Sequence, residues 1–366
     1  MSQQINKINE VIEKLKNKNF NIYFFTMDTK GAPSAAVNTH YIWSKYLKEA
    51  GYNPVILHER KDYTKPKDWM GDDYLELEHK NAEEKNVNIQ PQDFIFIPEI
   101  FSNVMEQTKE LPAKRVILCQ AYDHILEFIK FGETWSNYNI FDVVTTTEAQ
   151  KKYINYLFPE MNVDNVNISI PEYFKPDTKP KKPIISIHAR DPRNTVKIVK
   201  TFFLKYPQFK WVTFRDLKGL KREEFAEALK ESCLAVWDDT SAGFGTFPIE
   251  AFKTNTVLLG KVPSLIPDWF DEKQAIWVKD TLDIPDAIGN YFRGWIEDLL
   301  PIEIKGQYEE FKDKYLPTEE KESVLELFEN KINDRIGELQ NLIKQIEKQQ
   351  AEQLGSDNPE VINLFE

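Results

Sequence analysis

Ten short apolar runs, separated by helix-like segments, limit this chain more tightly than any other feature. "NIYFFTM", "NPVIL", "DFIFIPEI", "RVILCQ" and "FDVVTTT" come first, and "IISIHA", "KWVTF", "CLAVW", "TVLLG" and "AIWV" follow. Each is nearly continuous in apolar residues, as expected of parallel strands covered on both faces. "VNTHYIWSKYLKEAG" between the first two reads as a helix ending on Gly51. "PEYFKPDTKPKKP" (171–183), rich in proline and lysine, separates the two sets and reads as a linker. The expected fold class is therefore α/β, with two doubly wound, Rossmann-like domains facing a cleft. Ligands of such sheets sit at the carboxyl ends of the strands. The expected boundaries are 1–170 and 184–300 for the domains, 301–317 for a connecting segment, 318–352 for a long helix and 353–366 for a flexible tail.

With 366 residues, 41% of them hydrophobic, each domain has enough apolar material for a core. Cys119 and Cys233 are the two cysteines, each inside a strand-like run, which argues against a disulfide framework and fits a reducing cytoplasm. No apolar stretch reaches the ~20 residues of a membrane span. The opening "MSQQINKINEVIEKLKNKN" is a charged amphipathic helix without a signal-peptide core. A soluble cytoplasmic protein with no membrane contact is expected. The net charge of −12 disfavours nucleic acid overall, yet twelve Lys or Arg stand against Asp191 and Asp216 between Lys181 and Arg222. Such a basic face suits a small anionic ligand or a polyanion; an ordinary solvated helix face is the alternative.

One glycine-bearing stretch carries the chemistry. "CLAVW" is a strand, "DDTSAGFG" the loop leaving it, and "FPIEAFKT" the start of a helix with Pro248 in its first turn. Gly243 and Gly245 let the backbone approach a ligand, and the helix N-terminus offers free N–H groups to a phosphate. Glu250, one turn in, reaches toward sugar hydroxyls beside it.

"SAGFGTFPIEAFKTNTVLLG" resembles the donor-site signature of the retaining GT-B glycosyltransferases of the large group-1, glycogen-synthase-like family. "FDVVTTTEAQKKYI", "NVNISIPEYFKP" and "IISIHARDPRNTVKIVKTFF" are similar, in order, to further parts of that family. The resemblance spans roughly residues 20 to 300 in architecture and is residue-specific from Ser241 to Glu250. It implies a glycosyltransferase, a nucleotide-diphosphate sugar as donor substrate, no cofactor and no metal. It also implies that Glu250 binds the nucleotide ribose, while Ala242 replaces the family's sugar-contacting Glu; Asp238 or Asp239 is then the nearest substitute carboxylate. Arg190 matches the family's diphosphate-binding Arg. Asn194 takes the place of its Lys, leaving Arg193 or Lys197 for that role.

The backbone from Gly243 through Phe244, Gly245 and Thr246 to Phe247 would complete the anion site. Phe214 and Arg215 fall where the family contacts the base. The family's first-domain histidine aligns with Gln120, with His124 one helical turn later. The acceptor would enter beside these residues and the "TMDTKGAPSAA" loop containing Gly31. Each position has a purely structural alternative: Arg190 as an ion-pair partner of Asp191 or Asp216, His124 as a packed helix histidine, Glu250 as a helix carboxylate. A catalytically retired binding protein is a further alternative, encouraged by Ala242.

In the tail, Leu325, Phe328, Ile332, Leu339, Leu342 and Ile346 form an apolar seam broken by Arg335. Two readings follow: a coiled-coil homo-oligomer through 318–352, or a long helix lying back on the protein body. The terminal "VINLFE" resembles the short motif with which proteins bind replication sliding clamps, here through 361–365. That resemblance opens an alternative in which the acceptor is hydroxymethylated cytosine in DNA, as for bacteriophage glycosyltransferases, and the location is the host cytoplasm.

Overall fold

The structure is a computed structural model that describes residues 2–31, 34–65, 70, 74, 76–83, 87–241 and 243–356. Ala242 and the segment 357–366, with its 361–365 peptide, lie outside the described residues.

The first domain holds seven strands: β1 (Asn21–Thr26), β2 (Asn53–His58), β3 (Glu78–Asn81), β4 (Phe94–Pro98), β5 (Lys114–Cys119), β6 (Asp142–Thr145) and β7 (Asn162–Asn165). They pair in the order β3-β2-β1-β4-β5-β6-β7, every pair parallel. The second domain holds β8 (Lys182–Ala189), β9 (Thr213–Asp216), β10 (Ser232–Asp238), β11 (Val257–Lys261) and β12 (Ile276–Val278) in the parallel order β12-β11-β10-β8-β9. Two doubly wound sheets are thus present, and nine of the ten apolar runs fall on strands, while of "KWVTF" only Thr213 and Phe214 enter β9. Polar β3 ("EHKN") and β7 ("NVDN") were not among the expected strands. The stretch 171–183 ends inside β8, which takes Lys182 and Pro183.

Strand order reverses between β1 and β4 in one sheet and between β8 and β10 in the other. At such a point two loops diverge and leave a crevice beyond the strand ends. Both crevices open toward the domain junction.

The tail forms a 40-residue helix, Pro317–Ser356. It lies on the first domain, so the second of the two readings holds for its seam. Phe328 packs at a tilt on Phe96 with 5.0 Å between ring centroids, and Ile332 and Leu339 enter the same core as Phe24 and Leu15. Leu342 stays 41% exposed. Arg335, the break in the seam, donates to the Pro112 carbonyl at 3.1 Å. Polar fasteners accompany the apolar contact. Lys331 bridges Asp142 and Asp164, each at 2.6 Å, and Lys114 approaches Asp142 at 2.6 Å. Buried Glu320 accepts from Trp43 Nε1 at 2.9 Å and from Ser169 Oγ at 2.5 Å, tying the tail helix to the first domain just before the linker.

Candidate functional site

The two crevices merge into one cavity of about 260 Å³. Its wall is built from strand ends: Met27 after β1, Pro98, Glu99 and Ile100 at β4, Gln120, Ala121 and His124 after β5, His188 and Arg190 at β8, Trp237 and Asp239 at β10. Two helix N-termini complete it, with Ala35, Ala36 and Val37 from the Ala35–Glu49 helix and Gly245, Thr246 and Phe247 from the Thr246–Lys253 helix. Ser34 caps the first helix by accepting from Val37 N. The second starts from Gly245, which brings no side chain to cap it, so its first N–H groups remain for a ligand.

The two glycines serve different needs. Gly245 sits at φ +69°, and a Cβ there would lie 3.1 Å from Trp237 and 3.4 Å from Trp269. A side chain would be strained by both backbone and space. Gly243 is not in the left-handed region. A Cβ on it would run into the Gln150 amide and the Gln120 carbonyl, both of the first domain. Its N–H donates to that carbonyl at 3.2 Å. Gly243 is therefore where the two domains touch backbone to backbone. Asp268 adds a second clasp, accepting from Glu148 N at 2.9 Å at the start of a first-domain helix.

Arg190 stands at the junction. Its backbone N–H reaches Asp238 O at 3.3 Å. Its guanidinium donates to Ser241 Oγ and, across the cleft, to His124 Nε2 at 3.0 Å, with Asp239 at 3.6 Å. Asp239 fixes the loop by accepting from both Ser241 N and Ser241 Oγ at 3.0 Å. Neither Asp191 nor Asp216 takes Arg190. Gln120 is held by Ala36 O and Thr39 Oγ1 at 3.0 and 2.9 Å.

Other expected residues are engaged elsewhere. Glu250 is 1% exposed, lies beside Arg222 Nη1 at 3.0 Å, and does not line the cavity. Burial raises its carboxyl above the ordinary range, while Arg222 and a Thr246 hydrogen bond pull the other way. Arg193 turns to Asp191, the cap of its own helix, at 2.8 Å and is 85% exposed. Lys197 is exposed on the same helix. Asn194 donates to buried Asp238 at 2.8 Å. Phe214 packs on Phe202 and Phe203 at 5.4 and 5.5 Å, and Arg215 pairs with Glu231 at 3.0 Å, as the edge strand β9 turns them into the second domain. Gly31, at φ +78°, closes a turn in which Asp28 accepts from Lys30 N at 2.8 Å.

Three ionisable wall residues had escaped the sequence reading: Glu99, His40 and His188. Glu99 had a visible signal, an acid at the carboxyl end of an apolar strand run. Cys119 and Cys233 are free and buried. Among the described residues no helix is long and apolar enough to cross a membrane, and no group of three or more His, Cys, Asp or Glu is arranged to hold a metal ion.

No family model matches the chain. Over 257 residues it is 23% identical to an alpha-1,6-glucosyltransferase of Actinobacillus pleuropneumoniae serotype 7 (strain AP76), covering 67% of this chain and 73% of that protein. Its structure is similar to that of a glycosyltransferase from Rickettsia africae ESF-5, with a TM-score of 0.58, 13% identity, and 85% and 98% of the two chains covered. It is also similar to Anabaena Alr3699/HepE, solved in complex with UDP and glucose, with a TM-score of 0.57, 8% identity, and 85% and 99% covered. The chain has the GT-B fold shared by these glycosyltransferases.

Proposed function

We propose that this GT-B chain transfers a sugar from a nucleotide-diphosphate donor to an acceptor, with retention of configuration and without a metal. One observation carries the reading. Arg190 and two helix N-termini converge on a cavity at the topological switch points of both sheets. Cleavage of the bond between a sugar and a diphosphate leaves negative charge on the departing oxygens. A fixed guanidinium and free backbone N–H groups are suited to that charge because they need no reorganisation as it grows. UDP and glucose in the similar Anabaena structure, and the name of the Actinobacillus relative, make UDP-glucose the first donor to try. The apolar side of the cavity from the first domain, Met27, Ala35, Val37 and Ile100, is the side left for the acceptor.

The test is titration calorimetry with UDP and UDP-glucose, followed by transfer assays with glycan and hydroxymethylcytosine-DNA acceptors. Arg190→Ala is expected to lower the transfer rate by roughly 10²–10³-fold. NMR of the first-formed product anomer reads the stereochemistry. A wild-type protein that binds neither UDP nor UDP-glucose, or an Arg190→Ala variant with unchanged rate, refutes the proposal.

A further inference from the structure

We infer that Glu99 is a positioning residue, setting the tautomer of His124 and through it the placement of Arg190; this rests on the donor-site reading above. A guanidinium only donates, so the 3.0 Å contact from Arg190 Nη2 makes His124 Nε2 the acceptor. A neutral imidazole accepting at Nε2 carries its proton on Nδ1. That nitrogen is buried, has no other hydrogen-bond partner, and lies 3.6 Å from Glu99 Oε1. Glu99 is itself held: it is buried at the end of β4 and accepts from Ala121 N at 2.9 Å.

A carboxylate, an imidazole and a guanidinium thus form one directed line from the first domain across the cleft, and all three line the cavity. The Glu99–His124 spacing is longer than a full hydrogen bond, and such contacts commonly tighten when substrate binds. Without Glu99, no other described residue of the first domain faces His124 Nδ1 to favour the Nδ1–H form. An Nε2–H imidazole would then point a donor at Arg190, and the two would separate. Arg190 is the group that the reading above assigns to the diphosphate. Glu99 belongs to no motif, since the line is assembled from the end of β4, a first-domain helix and the loop after β8.

Long-range ¹H–¹⁵N NMR of the full chain, assigned with His124→Asn, reads the tautomer directly. The expected wild-type form is Nδ1–H. Glu99→Ala is expected to populate Nε2–H and to weaken UDP binding by about tenfold, the lower end of what losing the carboxylate partner of a metal-bound histidine costs. Glu99→Gln keeps an acceptor oxygen and is expected to recover most of both effects. A wild-type His124 in the Nε2–H form overturns the inference, as does a Glu99→Ala protein with unaltered tautomer and UDP affinity. Should wild-type protein fail to bind UDP, the donor-site reading falls, while the tautomer measurement still judges the Glu99–His124 pair.

Discussion

Lys331→Ala tests how the tail helix is fastened. The ammonium is 3% exposed and touches Asp142, also 3% exposed, and the half-exposed Asp164. Removing one partner of a buried pair costs roughly 3–5 kcal/mol, because the remaining charge is left without water or counter-ion. Lys114 still stands 2.6 Å from Asp142, so the lower end applies, about 3 kcal/mol. For a unit of this size that lowers the melting temperature by roughly 6–12 °C.

The pH dependence follows from both partners. Burial pushes Asp142 upward, but Lys331 and Lys114 outweigh it and hold its carboxyl below the usual range. Burial pulls Lys331 downward, and Asp142 with Asp164 outweighs that, leaving it raised. The Asp142 contribution is fully present above its unfolded pKa of about 3.9 and is lost as pH falls through the lower folded value. The Lys331 contribution is fully present below about 10.4 and is lost as pH rises through the higher folded value.

The assay is urea unfolding of wild type and variant, with hydrogen exchange locating the loss in the first domain. The gap in stability is expected to stay level from roughly pH 5 to 9 and to close outside it. Lys331→Met combined with Asp142→Asn, which leaves no uncompensated ion at that pair, is expected to regain at least half of the loss. A single-variant loss below about 1 kcal/mol, the scale of exposed ion pairs, refutes the reasoning.

Two further outcomes are expected. Gly243→Ala forces a methyl against Gln150 and Gln120; overlap of about 1–3 kcal/mol and a lost interdomain hydrogen bond should part the domains, seen as a larger radius of gyration in small-angle scattering. Gly337→Ala, in the tail helix where an added Cβ meets nothing within 4 Å, should stabilise by roughly 0.5–1 kcal/mol in thermal unfolding.

The eight apolar runs that became interior strands were legible because strands covered on both faces must be apolar nearly throughout, and edge strands β9 and β12 showed because they kept apolar residues on the half they bury. The edge strands β3 and β7 were not legible, since a strand paired on one side and wetted on the other has no such requirement. Arg190 drew notice through the family resemblance of "IISIHARDPRN", and it does line the cavity. Its partners were not legible, because His124 comes from a first-domain helix, Ser241 and Asp239 from the loop after β10, and no spacing along the chain links either group to Arg190. Gly243 illustrates a different limit: the sequence signals close approach but not what approaches, and here it is the other domain. Glu250 illustrates a third, since its partner Arg222 lies outside the motif that made it conspicuous. The seam of the tail helix looked the same whether its cover was a second copy or the chain's own sheet. Only the tertiary arrangement distinguishes the two.

Because Phe328, Ile332 and Leu339 roof a sheet made from the earliest strands, the first domain is discontinuous along the polypeptide. During synthesis that sheet must wait, one face only partly covered by its own helices, until the whole second domain has left the ribosome. Chaperone demand should therefore fall on the nascent first half, and a fragment ending near residue 300 should aggregate through the bared Phe24–Phe96 surface.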